Sequence, residues 1–177
     1  MRKVEVKPYS ELWKVEFHKE AAVLQEIFCA EMIGIHHIGS TSVQGLSAKP
    51  IIDIMPIVKD ISQVDQYNER MAVIGYEAKG ENGIAGRRYF QKGGTERTHH
   101  VHIYEKGSSE IDRHLAFRDF LREHPEKAKV YGDLKEELAK QFPYDIASYI
   151  KGKEQFALQI EREAVVWHRE VIGKGMD

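Results

Sequence analysis

A chain of 177 residues, 42% hydrophobic and 31% charged, is long enough to bury a core and too apolar to stay disordered. Its formal net charge of −2 sets up no global field for nucleic acid or an anionic membrane, and a single cysteine, Cys29, excludes an internal disulfide. No apolar run approaches the roughly 18–20 residues that span a bilayer, and no signal-peptide pattern follows Met1, so a cytoplasmic protein without a membrane partner is the expectation.

Along the chain, Pro8 to Glu31 carries Leu12, Val15, Phe17, Ala21, Leu24, Ile27 and Phe28 at mixed three- and four-residue spacing, which predicts a helix. Ile33–Ile38 predicts a short strand. A Gly39-Ser40-Thr41-Ser42 turn and a loop to Pro50 follow. Ile51–Val58 is apolar at nearly every position and predicts a strand buried on both faces, with Pro56 pointing to an edge or a strand end. Ser62–Ile74 predicts a crossover helix ended by Gly75. Short strands are expected at Tyr76–Lys79, Arg87–Lys92 and Thr98–Tyr104, the last two joined as a hairpin through Gly93-Gly94. Three helices close the chain. One is capped by Ser108 or Ser109 and runs to about Glu123, one opens at Pro125 and runs to about Gln141, and one runs from Ser148 to about Ile172. Pro143 and Gly152 are the main breakers. This order predicts an α+β fold (an α/β sandwich) in one domain, with a mixed sheet of four or five strands and a helical C-terminal part.

The stretch HIGSTSVQGLSAKPIIDI carries the first candidate site. Glycine lets the backbone approach a phosphate closely, and free amides with the Ser40 and Ser42 hydroxyls can bind its oxygens. Lys49 adds a positive charge, and Asp53 on the next strand can hold a divalent cation that bridges the phosphate. The structural alternative is a plain turn between two core strands.

Gly39-Ser40, twelve residues, then Asp53-Ile54 resembles the signature of the nucleotidyltransferase superfamily. More narrowly, HIGSTSVQGLSAKPIIDI together with FRDFLREHPEKAKVYGDLKEELA resembles the GrpB family, over a likeness from about Val6 to about Trp167. The resemblance implies a nucleotidyltransferase-like fold, and the fusion of some GrpB relatives to a dephospho-coenzyme A kinase hints at nucleotide chemistry. Met55 departs from the superfamily pattern. Residues 53 and 55 share a strand face, so an acid at 55 would share the metal with Asp53, and methionine is a poor ligand for Mg²⁺. No acid stands at an obvious equivalent of the superfamily's third carboxylate.

THHVHIY offers a substitute. Alternation turns His100, His102 and Tyr104 one way and His99, Val101 and Ile103 the other. Two imidazoles at i and i+2 with Asp53 make a ligand set that favours Zn²⁺, Mn²⁺ or Fe²⁺ over Mg²⁺. Without a metal, His100 or His102 is a candidate general base oriented by Asp53. The alternative is that they merely line a polar groove. His36 and His37 precede the turn, and only one of them can face the site. From residue 81 to 106, five basic residues stand against three acidic ones. Alternation allows only one of Arg87 and Arg88 at the site, and Arg88 is the candidate taken. His114, Arg118 and Arg122 form one stripe of a helix, with Arg118 and Arg122 as phosphate ligands.

The expectation is therefore a nucleotide- or phosphate-binding protein with nucleotidyl transfer as its reaction class. Asp53, His100 and His102 are the catalytic or metal residues (Mg, Mn or Zn), and Gly39, Ser40, Ser42, Lys49, Arg88, Arg118 and Arg122 bind the ligand. The alternatives are a binding module that has lost catalysis through Met55 and a hydrolase with a histidine–carboxylate metal centre. Nucleic acid is not an expected partner, because no basic stripe is interleaved with aromatic residues.

Overall fold

The computed structural model describes residues 3–175. Helix α1 (Glu11–Phe28) starts where the Ser10 side chain accepts a hydrogen bond from the Leu12 amide at 3.2 Å. It ends at Cys29, which has a positive φ of 48° and is exposed. Strands β1 (Met32–Ile38) and β2 (Ile52–Val58) follow, then a 3₁₀ stretch, Ile61–Tyr67, that runs into α2 (Asn68–Val73). The single helix expected over Ser62–Ile74 is thus split between a 3₁₀ stretch, whose start is capped by the Asp60 carboxylate, and α2. Strands β3 (Tyr76–Ala78), β4 (Arg87–Lys92) and β5 (His99–Glu105) lead to helices α3 (Ser109–Glu123), α4 (Pro125–Gln141) and α5 (Ile146–Gly175). Ser108 accepts the amide of Glu110, and Pro125 occupies the first turn of α4, where its missing N–H costs nothing.

The sheet has five strands in the order β1-β2-β5-β4-β3. Only the β2–β5 pair is parallel; the others are antiparallel, so the sheet is mixed, as expected. Two expectations need correction. Pro56 lies neither on an edge strand nor at a strand end, because β2 is flanked by β1 and β5. The parallel ladder pairs Ile52–Ile54 with His99–Val101 and Ile57–Val58 with Tyr104–Glu105. Met55 and Pro56 lie between these stretches, where a residue without an N–H is tolerated. Gly152 does not break α5 but lies inside it. A Cβ built there would stand 2.5 Å from Leu138 Cδ2, so the glycine permits a close approach of α4 and α5.

The chain divides into two compact units. One comprises Ser10–Ile38 and Ile51–Ile111 and holds α1, the whole sheet and α2. In it α1 packs on β1 and β2, with Phe17 stacked on His37 and Phe28 tilted against Tyr67. The other comprises the residues up to Tyr9, Gly39–Pro50 and the chain from Asp112 onward. Its core gathers Val43, Leu46, Phe120, Leu121, Tyr131 and Ile160. Among the described residues, no helix is long and apolar enough to cross a membrane.

Candidate metal centre and Gly-Ser turn

Pairing register brings the first group of residues together. Asp53 lies opposite His100 across the parallel β2–β5 pair, and His102 lies opposite Tyr89 across the β4–β5 hairpin. Directly opposed residues share a sheet face, so Asp53, His100, His102, Tyr89, Arg87 and Gln91 all project to one side. His37 projects to the other, against α1, which leaves His36 on the Asp53 side.

Both imidazoles converge on one carboxylate oxygen. His102 Nε2 stands 3.1 Å and His100 Nδ1 3.5 Å from Asp53 Oδ1. One potential ligand atom from each of the three residues lies within 4.8 Å of the others. The side chains keep 27%, 19% and 14% exposure for Asp53, His100 and His102, which leaves the group reachable from solvent. Burial pushes Asp53 up, but the hydrogen bonds it accepts from His100 and His102 outweigh it and hold the carboxyl far below the usual range. Asp53 is therefore ionised at neutral pH and offers a hard oxygen beside two nitrogens. His100 Nε2 is buried without a hydrogen-bond partner among the described residues. Tyr89 walls the group, its ring centroid 5.7 Å from that of His100 and 5.2 Å from that of His102. Met55 is fully buried, so the position where the superfamily pattern places a second acid is part of the core.

Of the two arginines, the structure brings Arg87 to this group and takes Arg88 away from it. Arg88 projects to the opposite face and pairs with Asp65 at 2.9 Å. Arg87 is buried, and its NH1 lies 3.4 Å from His102 Nδ1. Its Nε and NH2 donate to the carbonyls of Glu81 and Asn82 at 3.1 and 2.8 Å. Sequence reading missed Arg87, Tyr89 and Gln91. The missing signal was the hairpin register, which pairs Tyr89 with His102 and so selects the odd-numbered residues of β4.

The Gly-Ser turn belongs to the other unit. Gly39 has φ 73° and ψ −173°, a conformation that favours glycine, and it opens a single 3₁₀ turn over Ser40–Ser42. Ser42 is buried, and its amide and hydroxyl both donate to the Gly39 carbonyl, so that hydroxyl braces the turn. Ser40 stays partly exposed. Arg122 Nε donates to the Ser42 carbonyl at 2.9 Å. Partial burial and the positive charge of Arg118 lower the pKa of Arg122; Arg118 pairs with Asp119 at 2.8 Å. Lys49 lies 5.5 Å from the Tyr149 ring centroid, and Lys153 lies 5.4 Å from the same ring. The structure thus gathers Gly39, Ser40, Ser42 and Arg122 around one turn, while Arg118 pairs with Asp119 and Lys49 contacts Tyr149.

Comparison with known proteins agrees with this architecture. The family model described as GrpB protein matches residues 3–163. The chain belongs to the GrpB family. It is 52% identical over 168 residues to the UPF0157 protein YqkA of Bacillus subtilis, covering 95% of this chain but 49% of that protein. It is 36% identical to the glutamate-rich protein GrpB of Alkalihalophilus pseudofirmus, covering 88% of this chain and 92% of that one. A crystal structure of GrpB from Enterococcus faecalis superposes with a TM-score of 0.90 at 46% identity, covering 93% of this chain and 99% of that chain. The chain thus spans about half the length of YqkA. A slighter likeness, to the Cid1 poly(U) polymerase, has a TM-score of 0.47 at 14% identity over 74% of this chain and 45% of that chain, too little to bear on the site.

Proposed function

We propose that this GrpB chain binds one divalent transition-metal ion through Asp53, His100 and His102 and uses it on a phosphate-containing ligand, a nucleotide being the first choice. The reading is carried by the convergence of two imidazoles and an ionised carboxylate within 4.8 Å. Two nitrogens and one oxygen suit Zn²⁺ or Mn²⁺ better than Mg²⁺, which asks for an octahedron of oxygens. Such an ion would supply Lewis-acid polarisation of a phosphoryl oxygen. Separately, within the helical unit, the turn at Gly39 and Ser40 with Arg122 offers donors of the kind a phosphate group takes. In-line nucleotidyl transfer to a hydroxyl or amine is the reaction class that goes with the family resemblance.

The burial of Met55 favours a second reading, a nucleotide-binding module without turnover, because a buried methionine stands where a second acid would serve two-metal chemistry.

A thermal-shift screen of metal-stripped protein tests both. Nucleoside triphosphates and coenzyme A precursors are added with and without Zn²⁺, Mn²⁺ or Mg²⁺, since a ligand of the native state alone raises its melting temperature. The metal centre predicts a shift with Zn²⁺ or Mn²⁺ that disappears in Asp53→Ala and His102→Ala, and a larger nucleotide shift when that metal is present. A nucleotide shift that needs only Mg²⁺ and survives in both variants would remove the histidine centre from the account. A metal-dependent nucleotide shift without turnover would favour the module.

A further inference from the structure

The contact between Arg87 and His102 bears on that metal-centre reading and rests on it. A ligand histidine usually donates its second ring N–H to a carboxylate, a backbone carbonyl or water, which frees the lone pair of the first nitrogen for the metal. Here the second nitrogen, Nδ1, faces Arg87 NH1 at 3.4 Å. A guanidinium has five donors, no acceptor, and does not lose its proton. An Nδ1–H would therefore point a donor at a donor. The contact is long, but its polarity has one sense. Arg87 is also fixed in place: the residue is 7% exposed, its guanidinium holds the carbonyls of Glu81 and Asn82 and lies 4.8 Å over the Tyr89 ring.

We infer that Arg87 fixes His102 as the tautomer with its proton on Nε2, and thereby sets how tightly the Asp53–His100–His102 centre holds a metal. In this state Nδ1 accepts from Arg87, and Nε2–H donates to Asp53 Oδ1 at 3.1 Å. The same Nε2 cannot then offer a lone pair to a cation. Metal entry requires the proton to leave Nε2 and appear on Nδ1, and the Arg87 guanidinium to give way. Because Arg87 also holds the carbonyls of residues 81 and 82, its withdrawal releases the loop between β3 and β4. Arg87 is thus a positioning residue that acts through His102 and restrains the metal centre.

Long-range ¹H–¹⁵N NMR of the metal-free wild-type protein reads the tautomer directly. The proton on His102 Nε2 is expected, and a proton on Nδ1 overturns the inference. Zinc affinity, read by competition with a chromogenic chelator, supplies the second arm. The amide oxygen of Arg87→Gln can accept from Nδ1–H, so that variant should bind Zn²⁺ about tenfold more tightly than wild type or better. Arg87→Lys keeps donors only and should stay near wild type. Equal affinity in wild type and Arg87→Gln, or an equal gain in Arg87→Lys, overturns the inference. If no form binds zinc, the metal-centre reading fails while the wild-type spectrum still decides the tautomer.

Discussion

A carboxylate set between two imidazoles stays ionised because the charged form gains more from its neighbours than burial takes away, and Asp53 is held in this way. The opposite sheet face carries a second example. Glu20 accepts from the Tyr76 hydroxyl and from Lys92 Nζ, both at 2.8 Å. Burial pushes its carboxyl up, but the Lys92 and Tyr76 hydrogen bonds outweigh that and leave its pKa below the ordinary value. A depressed carboxylate contributes stability that is present above the unfolded-state pKa, about 4.3 for glutamate, and is lost as pH falls through the folded value. Urea unfolding between about pH 3 and 6 should therefore show stability falling more steeply with acid in wild type than in Glu20→Gln. Parallel slopes would show that Glu20 does not contribute. Glu20→Ala should cost about 1–3 kcal/mol at neutral pH, because it strands partly buried donors.

Among the elements, local signals account for the helix starts. Ser10→Ala should lower stability by about 1 kcal/mol through loss of the α1 cap, measured by urea midpoint. Gly152 is the sharper test. Alanine would normally stabilise a helix interior by about 1 kcal/mol relative to glycine. Here the added Cβ would stand 2.5 Å from Leu138 Cδ2 and 3.1 Å from Cδ1, so Gly152→Ala should destabilise by about 1–3 kcal/mol. Leu138→Ala in the same chain should recover part of that loss, and a stabilised Gly152→Ala would contradict the packing account. Helices, strands and the β4–β5 hairpin are written in periodicity, caps and turn residues that act locally. Gly152 and Pro56 were misread because their roles depend on partners distant in sequence, a leucine on α4 and two flanking strands. His100 and His102 were legible as one face because alternation is local to a strand, but that Asp53 shares it needed the β2–β5 register. Choosing Arg87 over Arg88 needed the register between β4 and β5, which no single strand carries.

For the whole molecule, the segments alternate between the two units. Gly39–Pro50 leaves the sheet between β1 and β2 and joins the helical unit, so the Gly-Ser turn and Asp53 are neighbours in sequence but belong to different units. Asp53, His100, His102 and Arg87 all lie in the sheet unit. Zinc affinity of folded Gly152→Ala, whose substitution lies in the other unit, should therefore match wild type within about threefold, well inside the 10–100-fold effects of altering a ligand's own support. The most direct measurement is anomalous diffraction at the zinc edge from crystals of metal-stripped protein loaded with Zn²⁺. The account predicts one strong peak about 2.0–2.2 Å from an Asp53 oxygen and one nitrogen each of His100 and His102. A peak elsewhere, or none at those three residues under saturating zinc, would contradict it.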